Sequence, residues 1–334
     1  MTNNETLREL KNEVEIVGTL KSKEIEMRTS KRTGKDFVTG KLVVLVEEED
    51  KVHEIPVSVF CMKSSKLYKG IETVSKEYKS IEEVGKENAD RIKVSGNLTL
   101  NEYQNREGRL VQFNDVQGVF YNRIDNDEIK DEATASIEIV FDGFEEITDS
   151  EQLPTGDKKV KGFTVGWNNS IIELIKAEIN SDLAEAMEEL YTPGVTGRLT
   201  MKINNYVEIE EAEQETKADH GFGSTKTIEK VAKKFKNNLE VVGGDIPFFG
   251  TKEYTPEEIE KAKQIRQLQL QELSQPAPST PPVNNGFGQT QESSDEVSVL
   301  TETQQTDQVI SADDENMPDF WGVSKWNTTS ILIQ

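Results

Sequence analysis

Val94-Ser95-Gly96-Asn97-Leu98-Thr99-Leu100-Asn101 returns in near copy 101 residues later as Val195-Thr196-Gly197-Arg198-Leu199-Thr200-Met201-Lys202. Ile92, Val94, Leu98 and Leu100 fall on one side of the first copy, and Arg91, Lys93, Asn97, Thr99, Asn101 and Tyr103 on the other. That is the period-two pattern of a half-buried strand. The outer side is cationic, polar and finally aromatic, and it fits either a solvated strand or one that meets a nucleic acid. One strand used twice points to a duplicated β domain.

The chain has 334 residues, room for roughly two domains. With 34% hydrophobic and 30% charged residues, its cores are modest. No run approaches a membrane span. Met1 to Leu10 is polar and lacks the basic start and apolar core of a secretory signal, so a cytoplasmic location is expected (a host cytoplasm if the protein is phage-encoded), with no membrane partner. One cysteine, Cys61, and two histidines, His53 and His220, exclude an internal disulfide and a zinc site built by one chain. No metal or cofactor is expected. No nucleophile–base pairing or nucleotide loop is evident, so the chain reads as a non-enzyme. Gly221 to Thr227 lacks the Gly-Lys pair of a Walker loop and reads as a flexible loop leading into a basic helical segment, Thr227 to Lys236.

The net charge of −23 is unevenly placed. Residues 1–123 carry 21 basic and 21 acidic side chains, residues 124–274 carry 17 and 32, and residues 275–334 carry 1 and 9. A polyanion site therefore belongs in the first third.

Within residues 1–124, Val14, Ile16 and Leu20 alternate around Gly18, where a glycine lets a strand bend. A polar turn, Arg28 to Asp36, follows; Lys21 to Lys41 holds seven basic residues against three acidic ones, which makes Arg28, Lys31, Arg32, Lys35 and Lys41 candidate phosphate contacts. The next strand places Val38, Leu42, Val44 and Val46 inward and Phe37 outward. After the acidic tip Glu47 to Asp50, the third strand turns Ile55, Val57, Val59 and Cys61 inward and Phe60 outward. Ser64 to Glu87 has helical spacing with a break. The repeated strand, a hairpin through Asn101 to Gly108 and the strand from Arg109 through Phe113 toward Phe120 complete the order strand, strand, strand, helix, strand, strand. That order fits a five-stranded Greek-key barrel of the OB type, whose binding face lies on the middle strands and the loops joining strands 1–2 and 4–5.

Asn12 to Leu20, Val57-Ser58-Val59-Phe60, and Val94 to Leu98 followed by Tyr103 and Gly108 together resemble the OB domain of bacterial and phage single-stranded DNA-binding proteins. The resemblance implies base stacking by Phe60 and by Tyr103, at a hairpin position that often carries tryptophan. Glu54 departs from it, standing where another stacking aromatic is common. On this reading Lys31, Arg32, Lys35, Lys93, Arg106 and Arg109 bind the backbone, and Phe37, Phe60, Tyr103 and Phe113 stack bases.

A second OB-like barrel is expected over residues 132–243. Ile137 to Val140 echoes Val14 to Val17, Lys159 to Trp167 and Ile171 to Ile179 supply strands two and three, Ser181 to Tyr191 a helix, Val195 to Glu208 the fourth strand and Leu239 to Val242 the fifth. Lys158, Lys159, Lys161, Trp167, Arg198 and Lys202 are possible DNA contacts, but Glu208 to Glu215 and the local acidity favour an architectural or weakly binding barrel. Residues 244–273 read as a linker and a helix announced by Thr255-Pro256. Residues 274–334 read as a disordered acidic tail.

Asp313, Asp314, Pro318, Phe320 and Trp321 in that tail resemble the acidic tip of single-stranded DNA-binding proteins, which implies docking of replication and recombination proteins; Gly322 to Gln334 follow it, although the family's tip ends the chain. The internal Ile246-Pro247-Phe248 is the closer match to the tip's Ile-Pro-Phe, and the choice between the two stays open. The sequence thus predicts a mainly β protein of two barrels, each with a helix between strands 3 and 4, that binds single-stranded DNA during replication, recombination or repair. The alternative is an OB scaffold of a replisome or virion that binds no nucleic acid. Monomer and homo-oligomer both fit.

Overall fold

The computed structural model describes residues 6–48, 51–125, 128–149, 151–210 and 232–274. They all belong to one compact unit, Met1–Pro278. The first barrel is built from β1 (Asn12–Thr29), β2 (Asp36–Glu48), β3 (Lys51–Met62), β4 (Arg91–Gln104) and β5 (Leu110–Arg123), with α1 (Tyr68–Glu77) and α2 (Ile81–Val84) between β3 and β4. The strands pair in the closed order β1-β2-β3-β5-β4-β1, the OB topology. Leu42, Val44, Val46, Ile55 and Val57 are fully buried, as their alternation predicts. Within its own barrel β1 serves two neighbours, pairing with β4 up to Thr19 and with β2 from Thr19 onward. It can turn at Gly18 because no side chain intervenes: a Cβ there would lie 2.3 Å from the Leu45 carbonyl oxygen. The predicted break in the helical stretch falls after Tyr78, where the Ser80 amide donates to Glu83 Oε2 at 2.9 Å and starts α2.

The second barrel contains β6 (Glu132–Thr148), β7 (Pro154–Val165), β8 (Ile171–Glu173), β9 (Ala177–Ile179), α3 (Ser181–Leu190), β10 (Thr196–Glu210) and β11 (Ala232–Gly244). It closes in the same order, β6-β7-β9-β11-β10-β6. Two expectations are corrected here. Strand three is broken into β8 and β9, because the Leu174 amide turns to the Gly162 carbonyl and Asn114 of the first barrel takes the Ile175 N–H (2.8 Å) and the Glu173 C=O (2.7 Å). Residues 232–236 are strand, not helix: Lys234, Phe235 and Lys236 pair with Glu208, Val207 and Tyr206 in a hairpin ladder. Gly221 to Thr227 lies outside the described residues.

The repeat that announces the duplication is out of structural register. Leu20 N–H donates to the Asp90 carbonyl at 2.9 Å, and Phe141 N–H to the Val195 carbonyl at 2.8 Å. Tyr78 OH donates to the Tyr121 carbonyl at 3.1 Å, and Tyr191 OH to the Asp245 carbonyl at 2.7 Å. With the barrels matched on these bonds, Ile16 opposite Val94 corresponds to Ile137 opposite Leu199. Val94 therefore answers to Leu199, and the echo of Val14 to Val17 at Ile137 is likewise displaced. A slip by an even number keeps every inward side chain inward, so alternation alone cannot detect it.

The barrels share one 11-stranded sheet. β1 and β6 pair antiparallel from Asn12↔Ile137 to Val17↔Glu132, centred near Val14↔Ala135. About that centre the contacts repeat: Asn114 on β5 grips strand three of the second barrel, and Asn205 on β10 grips strand three of the first, through Nδ2 to the Glu54 carbonyl (2.7 Å) and N–H to His53 Nδ1 (3.4 Å). Asn114→Ala, which strips a donor and an acceptor from the strand break, is expected to cost about 1–3 kcal/mol in urea unfolding.

Helix α4 (Pro256–Ser274) starts as predicted, with Thr255 and Glu258 bonded reciprocally at 2.8 and 3.3 Å. Its Arg266 is buried and joins the barrels, reaching Glu102 on β4 through both terminal nitrogens and Glu173 on β8 at 2.7 Å. Of the tail expected over residues 274–334, Ser274 is the last residue of α4, and the rest lies outside the described residues.

Candidate nucleic-acid interface

The β1–β2 turn is closed by Ser30 N–H to the Lys35 carbonyl (2.9 Å), with Gly34 at φ 67°. Part of the basic excess on either side of it is neutralised: Lys21 pairs with Glu54 (2.6 Å), Lys23 with Glu83 (3.4 Å) and Arg28 with Glu26 (3.0 Å). Asp36 is held below its ordinary value by hydrogen bonds from Lys63 and Thr29. Lys31, Arg32, Lys35 and Lys41 are exposed and have no ion-pair partner among the described residues. The positive charge of this loop thus resides on those four.

The aromatic candidates share the outer face of the barrel. Phe37 and Phe60, on neighbouring strands, are half-buried with ring centroids 5.6 Å apart. Across the closing seam, Asn101 pairs with Phe113 and Tyr103 with Val111, which puts Tyr103 and Phe113 on the same side of the β4–β5 hairpin, 44% and 39% exposed. Asn105, by accepting from the Glu107 and Arg109 amides, shapes the tip that presents Arg106; Arg109 is exposed beside Glu107 at 3.4 Å.

Asp115 lies between the two aromatic pairs, and sequence reasoning missed it. It accepts from Ser58 Oγ, from Asn101 Nδ2 (3.3 Å) and from the Val116 amide (3.0 Å). Burial pushes its carboxyl up, against the hydrogen bond from Ser58. It ties β3 to β5 where the backbone ladder offers only Ser58↔Gln117. Its signal in the sequence was its outward parity with Phe113.

Lys93 is not brought to this face. It pairs with Glu15 at 2.5 Å, about 30 Å along β4 from Tyr103. Ile246, Pro247 and Phe248 are pinned to the start of β10, with Asp245 N–H on the Arg198 carbonyl (2.9 Å) and Phe248 N–H on the Thr196 carbonyl (2.8 Å). Ile246 is exposed, and Phe248 is half-buried beneath the Lys252 amine. Asp313, Asp314, Pro318, Phe320 and Trp321 lie outside the described residues.

The second barrel lacks this arrangement. In the matched ladders the counterparts of Phe60, Tyr103 and Phe113 are Asn180, Glu208 and Lys236, and the position of Phe37 falls beyond the Thr148↔Pro154 pair, past a register shift in β7. The cations that the sequence offered as DNA contacts there are engaged: Lys158 with Glu188, Lys159 and Lys161 with Glu145 at 2.6 and 2.9 Å, Arg198 with Glu138 at 3.3 Å, and Lys202 with Glu48 at 2.7 Å. Hydrogen bonds from Lys159 and Lys161 hold the Glu145 carboxyl at about 2. Trp167 is exposed on the turn before β8. Among the described residues no cluster of His, Cys, Asp and Glu is arranged for a metal, and no helix is long and apolar enough to cross a membrane.

No curated protein sequence matches the chain. Among solved structures, the wild-type single-stranded DNA-binding protein of Thermus aquaticus aligns with a TM-score of 0.44 at 13% identity, covering 75% of this chain and 99% of that one. The small single-stranded DNA-binding protein of Streptomyces coelicolor aligns over 35% of this chain and 96% of its own, at 17% identity and a TM-score of 0.25. The Plasmodium falciparum SSB in complex with ssDNA covers 37% of this chain and all of its own, at 14% identity and a TM-score of 0.24. The family model described as YorF matches residues 11–276, a span that takes in both barrels and α4, and the chain belongs to that family.

Proposed function

We propose that this protein is a non-catalytic binder of single-stranded DNA, without strong sequence preference, and that the first barrel carries the activity. The observation behind this reading is the outer face of that barrel: two pairs of accessible aromatic rings beside a loop whose Lys31, Arg32 and Lys35 have no ion-pair partner among the described residues, with no aromatic at the corresponding positions of its duplicate. Stacking on exposed rings is tolerant of sequence because every base has a π-face, and phosphate contacts with Lys31, Arg32, Lys35 and Lys41 add a salt-sensitive term. The role is protection of exposed strands during replication, recombination or repair, with Asp313, Asp314, Phe320 and Trp321 of the tail recruiting other replication proteins.

Labelled oligo(dT) titrated into the intact protein at two salt concentrations tests this. Binding should tighten as salt falls, with a log–log slope near ~−3 if four phosphates are neutralised. Phe60→Ala and Tyr103→Ala should each weaken it by about 1–3 kcal/mol. Absence of binding at low salt would refute the proposal, and undiminished affinity in both variants would refute the stacking assignment.

A further inference from the structure

The near-twofold relation of the barrels creates two equivalent clefts, each between the hairpin of one barrel and strand three of the other. In the first, the hairpin side that bears Asn114 also carries Glu102 and Gln112, directly opposite each other, and α4 covers them by inserting Arg266. In the second, Val207 and Phe235 occupy the matching positions, again directly opposite each other. They are 44% and 75% exposed, and no described element covers them. One cleft is closed by an ion-paired helix, and among the described residues the other is open and apolar.

We propose that the open cleft is a second contact site for single-stranded nucleic acid, in which Phe235 stacks on a base; this rests on the strand binding by the first barrel argued above. β3 meets the hairpin at its start, where Asn205 Nδ2 donates to the Glu54 carbonyl and His53 and Lys51 lie against the Tyr206 ring; from there its outer side continues through Pro56 and Ser58 to Phe60, toward the aromatic face. Asn237, two residues from Phe235, lines one surface depression together with Pro56, Phe113 and Asp115. Lys176 lines it too, exposed and without an ion-pair partner among the described residues. Beside Phe235, Lys236 is paired with Glu178 at 3.2 Å, and Lys234 stands opposite Glu208 in the ladder. What Phe235 adds to the cleft is a ring, which is what a sequence-tolerant stacking contact requires. A helix docked as α4 is docked would need a carboxylate where Val207 stands.

The test measures binding of oligo(dT) of two lengths, about 8 and about 30 nucleotides, chosen because one OB barrel covers roughly 4–16. In the intact protein, Phe235→Ala should weaken binding of the long strand on the order of tenfold, leaving its salt slope and the short-strand affinity unchanged. Lys176→Ala should reduce the slope for the long strand by about 0.7. Phe235→Trp should retain wild-type affinity or better, which separates stacking from a packing defect. If Phe235→Ala binds both lengths like wild type while Phe60→Ala does not, the strand stays on the first barrel and this inference fails alone. If Phe235→Ala alters only the oligomeric state, the cleft joins copies of the chain and the inference again fails. If the wild type binds neither length, the reading beneath it fails first.

Discussion

Arg266→Ala should destabilise the protein by about 3–5 kcal/mol in urea unfolding, the usual result of removing one partner from a buried ion pair. The guanidinium is 7% exposed and Glu102 only 12%, so the substitution strands a carboxylate where water reaches it poorly, with Glu173 beside it. Arg266→Lys should recover only part of the loss, because an ammonium cannot repeat the forked contact with Glu102. The double change Arg266→Met with Glu102→Leu should recover most of it, since charge and partner leave together. A loss within about 0.5 kcal/mol for Arg266→Ala would mean the clamp is ornamental.

The same contact sets an acid limit. Burial alone would raise the Glu102 carboxyl, but hydrogen bonds from Arg266 and Gln112 outweigh it and hold the group below its ordinary value. A depressed carboxylate contributes stability above its unfolded value and loses it as pH falls through the folded one. Wild type should therefore lose stability to acid below about pH 4, and Arg266→Ala should lose less over that interval.

Gly40→Ala should cost about 3 kcal/mol, the upper end for overpacking, despite adding a single methyl group. Its Cβ would lie 2.0 Å from the Glu24 carbonyl oxygen and 2.8 Å from Ile25 Cα. Both are backbone atoms of β1, so no rotamer change relieves the contact. The β1–β2 ladder must open where it carries the basic turn, and affinity for oligo(dT) should fall with stability. A variant as stable as wild type would show that the strands can part there at little cost. Gly34→Ala, at a solvent-facing turn with nothing within 4 Å, separates steric crowding from backbone strain at φ 67°.

The strands of the first barrel were legible because alternation is local: Val38 to Val46 and Ile55 to Cys61 declare their inward sides within a few residues. The order of strands and helix then specified the barrel. Four things were not legible. The register of the duplication was hidden because Val94 and Val195 both point inward whether or not they correspond. The clamp was hidden because Arg266 and Glu102 are 164 residues apart and neither has a local pattern. The fate of each cation depended on partners brought by folding: Lys93 was claimed by Glu15, whereas Lys31, Arg32 and Lys35 project from a turn beyond such reach. Strand three of the second barrel looked continuous because its break is supplied with hydrogen bonds by another barrel's side chain, Asn114.

The antiparallel pairing of β1 with β6 is the contact that two identical barrels would make by rotation about a dyad. In one chain it no longer needs to be self-complementary, and the two halves have parted in charge, in aromatic content and in what fills their clefts. A dyad presents the same surface to a polymer travelling either way across it. This chain does not: on the path proposed above, from Phe60 toward Phe235, a strand would meet its contacts in an order that the reversed strand cannot reproduce. The difference between the halves gives that path a direction, and a strand bound along it should lie in one 5′-to-3′ sense.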